Sequence, residues 1–399
     1  MNKLYKNSNL IIYLVGIFVS GIGTKLTTIA LSDKVLKLTG NDFNVSLVFM
    51  LQSLPILILG MAAGNIIDKK NKKQTFILMN VIFAITSFTF SLTNNSIMIF
   101  AILLINGIIQ AFYIPCGTSL MPLLVNKENL SEANGLKMSI NGIVMIAGYA
   151  FAGILVSFIG NNMAFIIDAI SFVSIALIFN FLKIINKDTD ISKNSTDKES
   201  IKRDFLAGWE FVKNNSIIRS IFFIDLIVTF IISMQSPLTY IFVEKYLGGR
   251  ILMAQRTGFL FSFAGIGTIL GGLLLVKFKH ENKLLLLTAS LVFDSIIVII
   301  FSLNKYFPAS LLLYGCMGVV GAFNGGILQT VLQEKTPESI LGRVSGFISS
   351  IIEPASMLSL LIGGVCSNLI EVKWVFIIGS LLELGTGLFF LTFYFRKQN

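Results

Sequence analysis

The sequence predicts an all-α integral membrane protein with twelve transmembrane helices in two pseudo-symmetric six-helix bundles. Three observations predict it. Apolar runs recur from end to end, each near the roughly 20 residues that a helix needs to cross about 30 Å of hydrocarbon. Basic residues gather in alternate connecting segments. One long polar stretch, 186–216, leaves six apolar runs on either side of it. Of the 399 residues, 54% are hydrophobic and 13% charged, about half the charged share of a soluble domain, so no soluble globular reading fits.

The first run, 10–31, is long enough to span and has no small-residue cleavage site after it, so it reads as a helix and not as a signal peptide. Runs 45–67, 75–93, 97–122, 135–159 and 163–185 complete a first half, residues 1–185. The linker 186–216 contains KDTDISKNSTDKES, too polar and charged to pack a core and therefore expected to be flexible. Its second part, Ile201 to Asn214, places Phe205, Leu206, Trp209 and Val212 at helical spacing and predicts an amphipathic helix along the membrane face. Runs 217–243, 256–276, 284–303, 309–332, 345–369 and 374–395 form the second half, 217–399. The halves echo each other at an offset of about 208–210 residues: Gly64 to Lys69 falls opposite Gly272 to Lys277, and Ala133 to Gly135 opposite Gly342 to Val344. Such an echo is expected of two same-sense repeats about an axis normal to the membrane.

Twelve spans put both termini on one side. With the termini inside, 23 of the 31 basic residues fall on inward segments and seven on outward ones, Lys34 and Lys37 among the seven, while Lys25 lies within a span. The positive-inside rule therefore predicts cytoplasmic termini and a multi-pass protein of the cell membrane. The same rule accounts for the net charge of +10, which needs no nucleic-acid partner. Cys116, Cys316 and Cys366 are isolated in apolar segments, and the single histidine, His280, sits in a charged loop. Neither a disulfide framework nor a metal site is expected, and no cofactor is. No phosphate-binding G-x-x-x-x-G-K-[ST], H-E-x-x-H or nucleophile elbow occurs, so the chain does not read as an ATP-driven pump or an enzyme.

The strongest local motif is the turn between the second and third spans, GNIIDKKNKK, Gly64 to Lys73. It resembles the loop signature G-x-x-x-D-[RK]-x-G-[RK]-[RK] of the major facilitator superfamily. Gly64, Asp68, Lys69, Lys72 and Lys73 match; Asn71 stands where glycine is usual and can still take a left-handed turn. Gly64 would permit close helix packing, Asp68 would accept from a neighbouring helix N-terminus, and the lysines would hold the loop at the inner leaflet. With Arg343, which opens the eleventh span and could pair with Asp68, these residues form a candidate cytoplasmic gate. Three further strings, GIIQAFYIPCGTSLMPLLVNKENLSEANGL (107–136), DAISFVSIAL (168–177) and NGGILQTVLQEKTPESILGRVSG (324–346), with the Gly208 to Val212 stretch, resemble the facilitator branch of macrolide-efflux and enterobactin-exporter proteins along the whole chain. The resemblance implies a proton-driven antiporter that expels drugs or other amphipathic molecules by alternating access, with substrate bound near the midplane between the halves. It also leaves dedicated export of an endogenous product such as a siderophore, or lysophospholipid transport, as alternatives. The chain departs from the pattern twice: the fifth span, Ala147 to Gly153, lacks the Gly-Pro pair of many antiporters, and the fourth lacks their arginine.

Ionisable groups inside spans are costly and so mark function by default. Under the family fold, spans 1, 4, 7 and 10 line the cavity, and 2, 5, 8 and 11 stand beside them. That sorting makes Glu353, Asp225 and Lys25 the proton-coupling candidates, since a carboxyl out of water can load and release a proton near neutral pH. Asp225 could instead partner Arg219, and Lys25 could neutralise an acid. Asp168, Asp294 and Glu383 lie on peripheral spans and read as polar anchors. Asn106, Gln110 and Tyr113 fall on one face of the fourth span, and with Gln52, Tyr149, Gln235 and Asn324 are the substrate-cavity candidates; interhelical hydrogen bonding is the rival reading. The expected partners are an amphipathic small molecule, protons and the bilayer, with the protein a monomer.

Overall fold

In the computed structural model, the described residues are 7–68, 70–126, 129–182, 198–277 and 282–398. They form thirteen helices and no strand. Residues 186–197 of the linker, Lys69 and His280 lie outside the described residues, as does the side chain of Asp68. Contacts divide the chain into two compact units, Met1–Ser192 with Val243–Ser262, and Lys193–Phe242 with Phe263–Asn399.

In the first unit, α1 (Ser8–Thr39) packs along α5 (Leu130–Asn180), α2 (Asp42–Asp68) lies on α4 (Ser96–Leu124), and α3 (Lys72–Leu92) lies on α5. Asparagines start three of these helices, because their short side chains accept from amides that the first turn leaves unpaired. Asn7 accepts from the Asn9 and Leu10 amides, Asn95 from Ile97 and Met98, and Asn71 from Gln74. Asn71 is therefore extended (φ −67°, ψ 105°) and not left-handed as expected: its carboxamide acts as a cap, a role no glycine could fill. The core is aromatic. Phe76 stacks on Phe179 at 4.8 Å and on Tyr113 at 4.6 Å, and the Tyr13 hydroxyl donates to the Gly117 carbonyl at 2.8 Å.

Among the described residues, eleven helices are long and apolar enough to cross a membrane, because the fifth and sixth spans form one element. Its 49 apolar-rich residues would measure about 74 Å as a straight helix, more than twice the bilayer core. Gly160 folds it back with φ 78°, a conformation that glycine alone adopts without strain, so the count of twelve spans stands. The first span runs further than hydropathy suggests. Lys34 and Lys37, expected in a loop, belong to α1. Lys34 is buried and donates to the Phe90 carbonyl (2.8 Å) and to Asn162 Oδ1 (3.0 Å), and Asn161 donates to Asp33 (2.7 Å). These bonds tie the bend at Gly160 to α1 and α3.

In the second unit, α10 (Lys283–Leu303) packs on α13 (Val372–Gln398) and α11 (Phe307–Lys335), and α12 (Glu338–Leu369) packs on α7 (Ser216–Gln235) and α6 (Lys198–Asn214). The expected span 217–243 is two helices, α7 and α8 (Leu238–Tyr246), because Pro237 has no amide to continue the ladder. The predicted amphipathic helix is α6. Val212 is buried, and Phe205 and Trp209 rest on Phe347 of α12 at 5.1 and 5.6 Å. Within this unit, α9 (Gly249–Lys277) meets α11 at small residues, with Gly267 and Gly271 against Gly315 and Val319.

Candidate substrate cavity

The first unit holds a cavity of about 250 Å³. The helical face predicted on α4 supplies one wall, Asn106, Gln110 and Tyr113. Gln52 and Ser53 of α2 stand beside it, and Gly107 allows that approach: a Cβ there would lie 2.6 Å from the Gln52 carbonyl. Ser20, Thr24, Thr27 and Thr28 of α1 contribute hydroxyls, while Phe83, Phe172 and Ile56 provide apolar surface.

The unexpected member is Asp168. It bonds neighbouring hydroxyls, as a polar anchor is expected to, and it also lines this cavity while only 2% exposed. Thr27 Oγ1 donates to its Oδ2 at 2.5 Å and Ser87 Oγ at 2.9 Å, so α1, α3 and the second arm of α5 converge on one carboxylate. Gly23 is required opposite it, since a Cβ would collide with Asp168 Oδ1. Across the cavity, Asn106 Oδ1 is buried without a hydrogen-bond partner. The lining thus offers a carboxylate, an orphan carbonyl and hydroxyls, and no Lys or Arg. Its volume lies below the roughly 300–1,000 Å³ of pockets that enclose drug-sized ligands, leaving room for a ring-sized group.

A second cavity of about 220 Å³ lies in the second unit between α7, α11 and α12. Asp225 and Gln329 are its polar groups, among Phe222, Leu328, Leu332 and Ile348. Asp225 accepts from Thr229 at 3.2 Å, while Arg219 donates to the Lys213 carbonyl.

A family model described as Major Facilitator Superfamily matches residues 13–353. The chain belongs to this superfamily. Among its relatives, Macrolide efflux protein A of Streptococcus pyogenes is 26% identical over 95% of both chains. Multidrug efflux pump Tap of Mycolicibacterium fortuitum is 21% identical over 96% of this chain and 95% of its own. The solved nucleoside transporter NupG shares the fold, with a TM-score of 0.77 at 11% identity over 97% of this chain and 99% of that one. This facilitator is therefore a multi-pass membrane transporter.

The remaining candidates of this facilitator lie apart from the Asp168 cavity. Lys25 sits over the Tyr149 ring, 4.6 Å from its centroid, and the Tyr149 and Phe261 rings meet at a tilt, 4.9 Å between centroids. A ring face thus meets the ammonium where an acid was considered. Gln235 donates to the Phe376 carbonyl at 3.2 Å, and Asn324 accepts from Ser290, both buried between helices. Glu353 is exposed on α12. In the motif turn, Lys73 donates to the Asn180 and Leu182 carbonyls at 2.8 Å each, completing the C-terminal end of α5 where free carbonyls favour a cation. Lys72 is buried at the start of α3. A Cβ on Gly64 would meet nothing within 4 Å, so the tight packing expected there is not what this glycine provides.

Arg343 Nε lies 2.9 Å from Asp204 Oδ1 of α6, with both side chains 45% exposed. An exposed pair of this kind is worth under about 1 kcal/mol. Arg343→Ala is accordingly expected to leave the melting temperature of the purified protein nearly unchanged. A large drop would mean that this arginine has a further, buried partner.

Proposed function

We propose that this facilitator exports amphipathic small molecules from the cell by alternating access, coupled to proton entry. The observation that carries the reading is the lining of the first-unit cavity. Acceptors without a competing cation select a cargo with a protonated amine or comparable donor, and Phe83, Phe172 and Tyr113 bury its apolar part. The printed names of the relatives, macrolide efflux and multidrug efflux, support the same class. Asp168, Asp225 and Glu353 are the carboxyls through which a proton could exchange with cargo, and Lys25, whose ammonium lies over the Tyr149 ring, is the further coupling candidate. The gate residues Gly64, Asp68, Lys69, Lys72, Lys73 and Arg343 would close the cytoplasmic side of a monomer whose termini face the cytoplasm.

Expression in a pump-deficient host tests this. Amine-bearing macrolides should be tolerated at raised concentrations, and neutral amphipaths much less. Gln110→Leu should lower the amine-dependent resistance several-fold without lowering the amount of protein in the membrane. Resistance that ignores the amine would remove the cargo assignment. Export that survives collapse of the proton gradient would remove the coupling. No resistance to any agent, with an endogenous product retained in the parent host, would favour dedicated export.

A further inference from the structure

The second unit buries two carboxyls that the export reading does not use. Asp294 on α10 is 7% exposed and Glu383 on α13 is 2% exposed. The two helices meet closely, with Gly387 of α13 against Leu291, Val292 and the Thr288 carbonyl of α10. One turn back along α13 brings Glu383 beside Asp294, and the two side chains are hydrogen-bonded to each other. A carboxylate oxygen only accepts, so a bond between two carboxyls needs a proton held by one of them. Asp294 Oδ1 and Glu383 Oε1 are buried, and no N–H or O–H of another described residue reaches either. Asp168 is different, since two hydroxyls from other helices satisfy it.

Among the described residues, no cation is bonded to the pair. On α10 the only other charge is Lys283, paired with Glu334 of α11. Lys373 on α13 pairs with Glu371, and Arg396 and Lys397 lie beyond the apolar part of that helix. On α11, Lys335 ends the helix. On α7, Arg219 is bound to the Lys213 carbonyl and Asp225 to Thr229. On α12, Arg343 faces Asp204, Glu338 begins the helix and Glu353 is exposed. Two ionised carboxylates here would be like charges without water, donor or counter-ion.

We propose that Asp294 and Glu383 form a proton-binding site, holding one shared proton that latches α13 to α10. Losing the proton breaks the only bond between them and drives the two helices apart at that level. The site needs no cargo, so its test is independent of the export reading: failed export leaves it standing, and its failure leaves export standing.

Infrared spectra of the purified full-length protein in acidic and alkaline buffer test it. Wild type should show a protonated-carboxyl C=O band that is lost on alkalinisation. Part of the band should be missing from Glu383→Gln and from Asp294→Asn, the same part in both, and that part should be retained in Asp168→Asn. Absence of the band from wild type at acidic pH, or an undiminished band in both single variants, overturns the proposal. If the single variants do not fold, thermal melting decides. Wild type should lose stability in alkaline buffer, and the doubly substituted Asp294→Asn, Glu383→Gln protein should not. Equal pH dependence in the two proteins overturns it as well.

Discussion

Gly318→Ala and Gly321→Ala, three residues apart on α11, are expected to change stability in opposite directions. A methyl group on Gly318 would run into the carbonyl and Cα of Ala264 on α9. Both obstacles are backbone, so no rotamer change relieves the clash and the helices themselves must separate. Overpacking a core costs about 1–3 kcal/mol when side chains can yield, and here they cannot, so the cost should reach or exceed about 3 kcal/mol. Gly267→Ala should behave alike, because its methyl would meet the Gly315 carbonyl. Gly321 has nothing within 4 Å of an added Cβ. Alanine is the better helix former by about 0.8–1 kcal/mol, so Gly321→Ala should be neutral or stabilising. Thermal melting and the yield of monodisperse protein after detergent extraction read both results. A Gly318→Ala protein as stable as wild type would mean that α9 and α11 are not in backbone contact.

The second large effect is on cargo. Asp168→Asn keeps the side-chain volume and removes the charge. The structural loss is small, since interhelical hydrogen bonds in membranes average about 0.6 kcal/mol each, and Asp168 receives two. The loss to a bound ammonium is larger: a hydrogen bond to a charged group is worth about 1.5–3 kcal/mol, which is tenfold or more in affinity. Purified Asp168→Asn protein should therefore melt close to wild type, bind an amine-bearing cargo at least about tenfold more weakly, and bind a neutral analogue unchanged. Equal weakening toward both ligands would make Asp168 a structural tie and no more. Asp168→Ala adds the cost of two stranded hydroxyls, on Thr27 and Ser87, and should be the less stable of the two variants.

The signals that could be read without coordinates are those governed by local composition. Twelve spans followed from runs of bilayer length, and the α4 face from the spacing of Asn106, Gln110 and Tyr113, because helical periodicity places those side chains together whatever surrounds them. The amphipathic helix before the seventh span was legible for the same reason. Asp168 was not. Its span was sorted as peripheral, and nothing in DAISF tells which side of the helix faces α1 and α3. The cue available was two hydroxyl residues in other apolar spans, Thr27 and Ser87, with no means of pairing them to one acid.

The sequence by itself determined the membrane class, the number and order of the spans and the residue types that must find partners out of water. Which partner each one found was decided by tertiary structure. Lys34 could have snorkelled from a loop and instead bonds Phe90 and Asn162; Gln235 and Asn324 could have lined a cavity and instead join helices; Asp294 and Glu383 found only each other. Hydrophobicity drives every span into the bilayer and is indifferent to its rotation there. Rotation and neighbour are fixed by close contacts such as Gly23 on Asp168, Gly107 on Gln52 and Gly318 on Ala264, where a missing side chain lets two backbones meet.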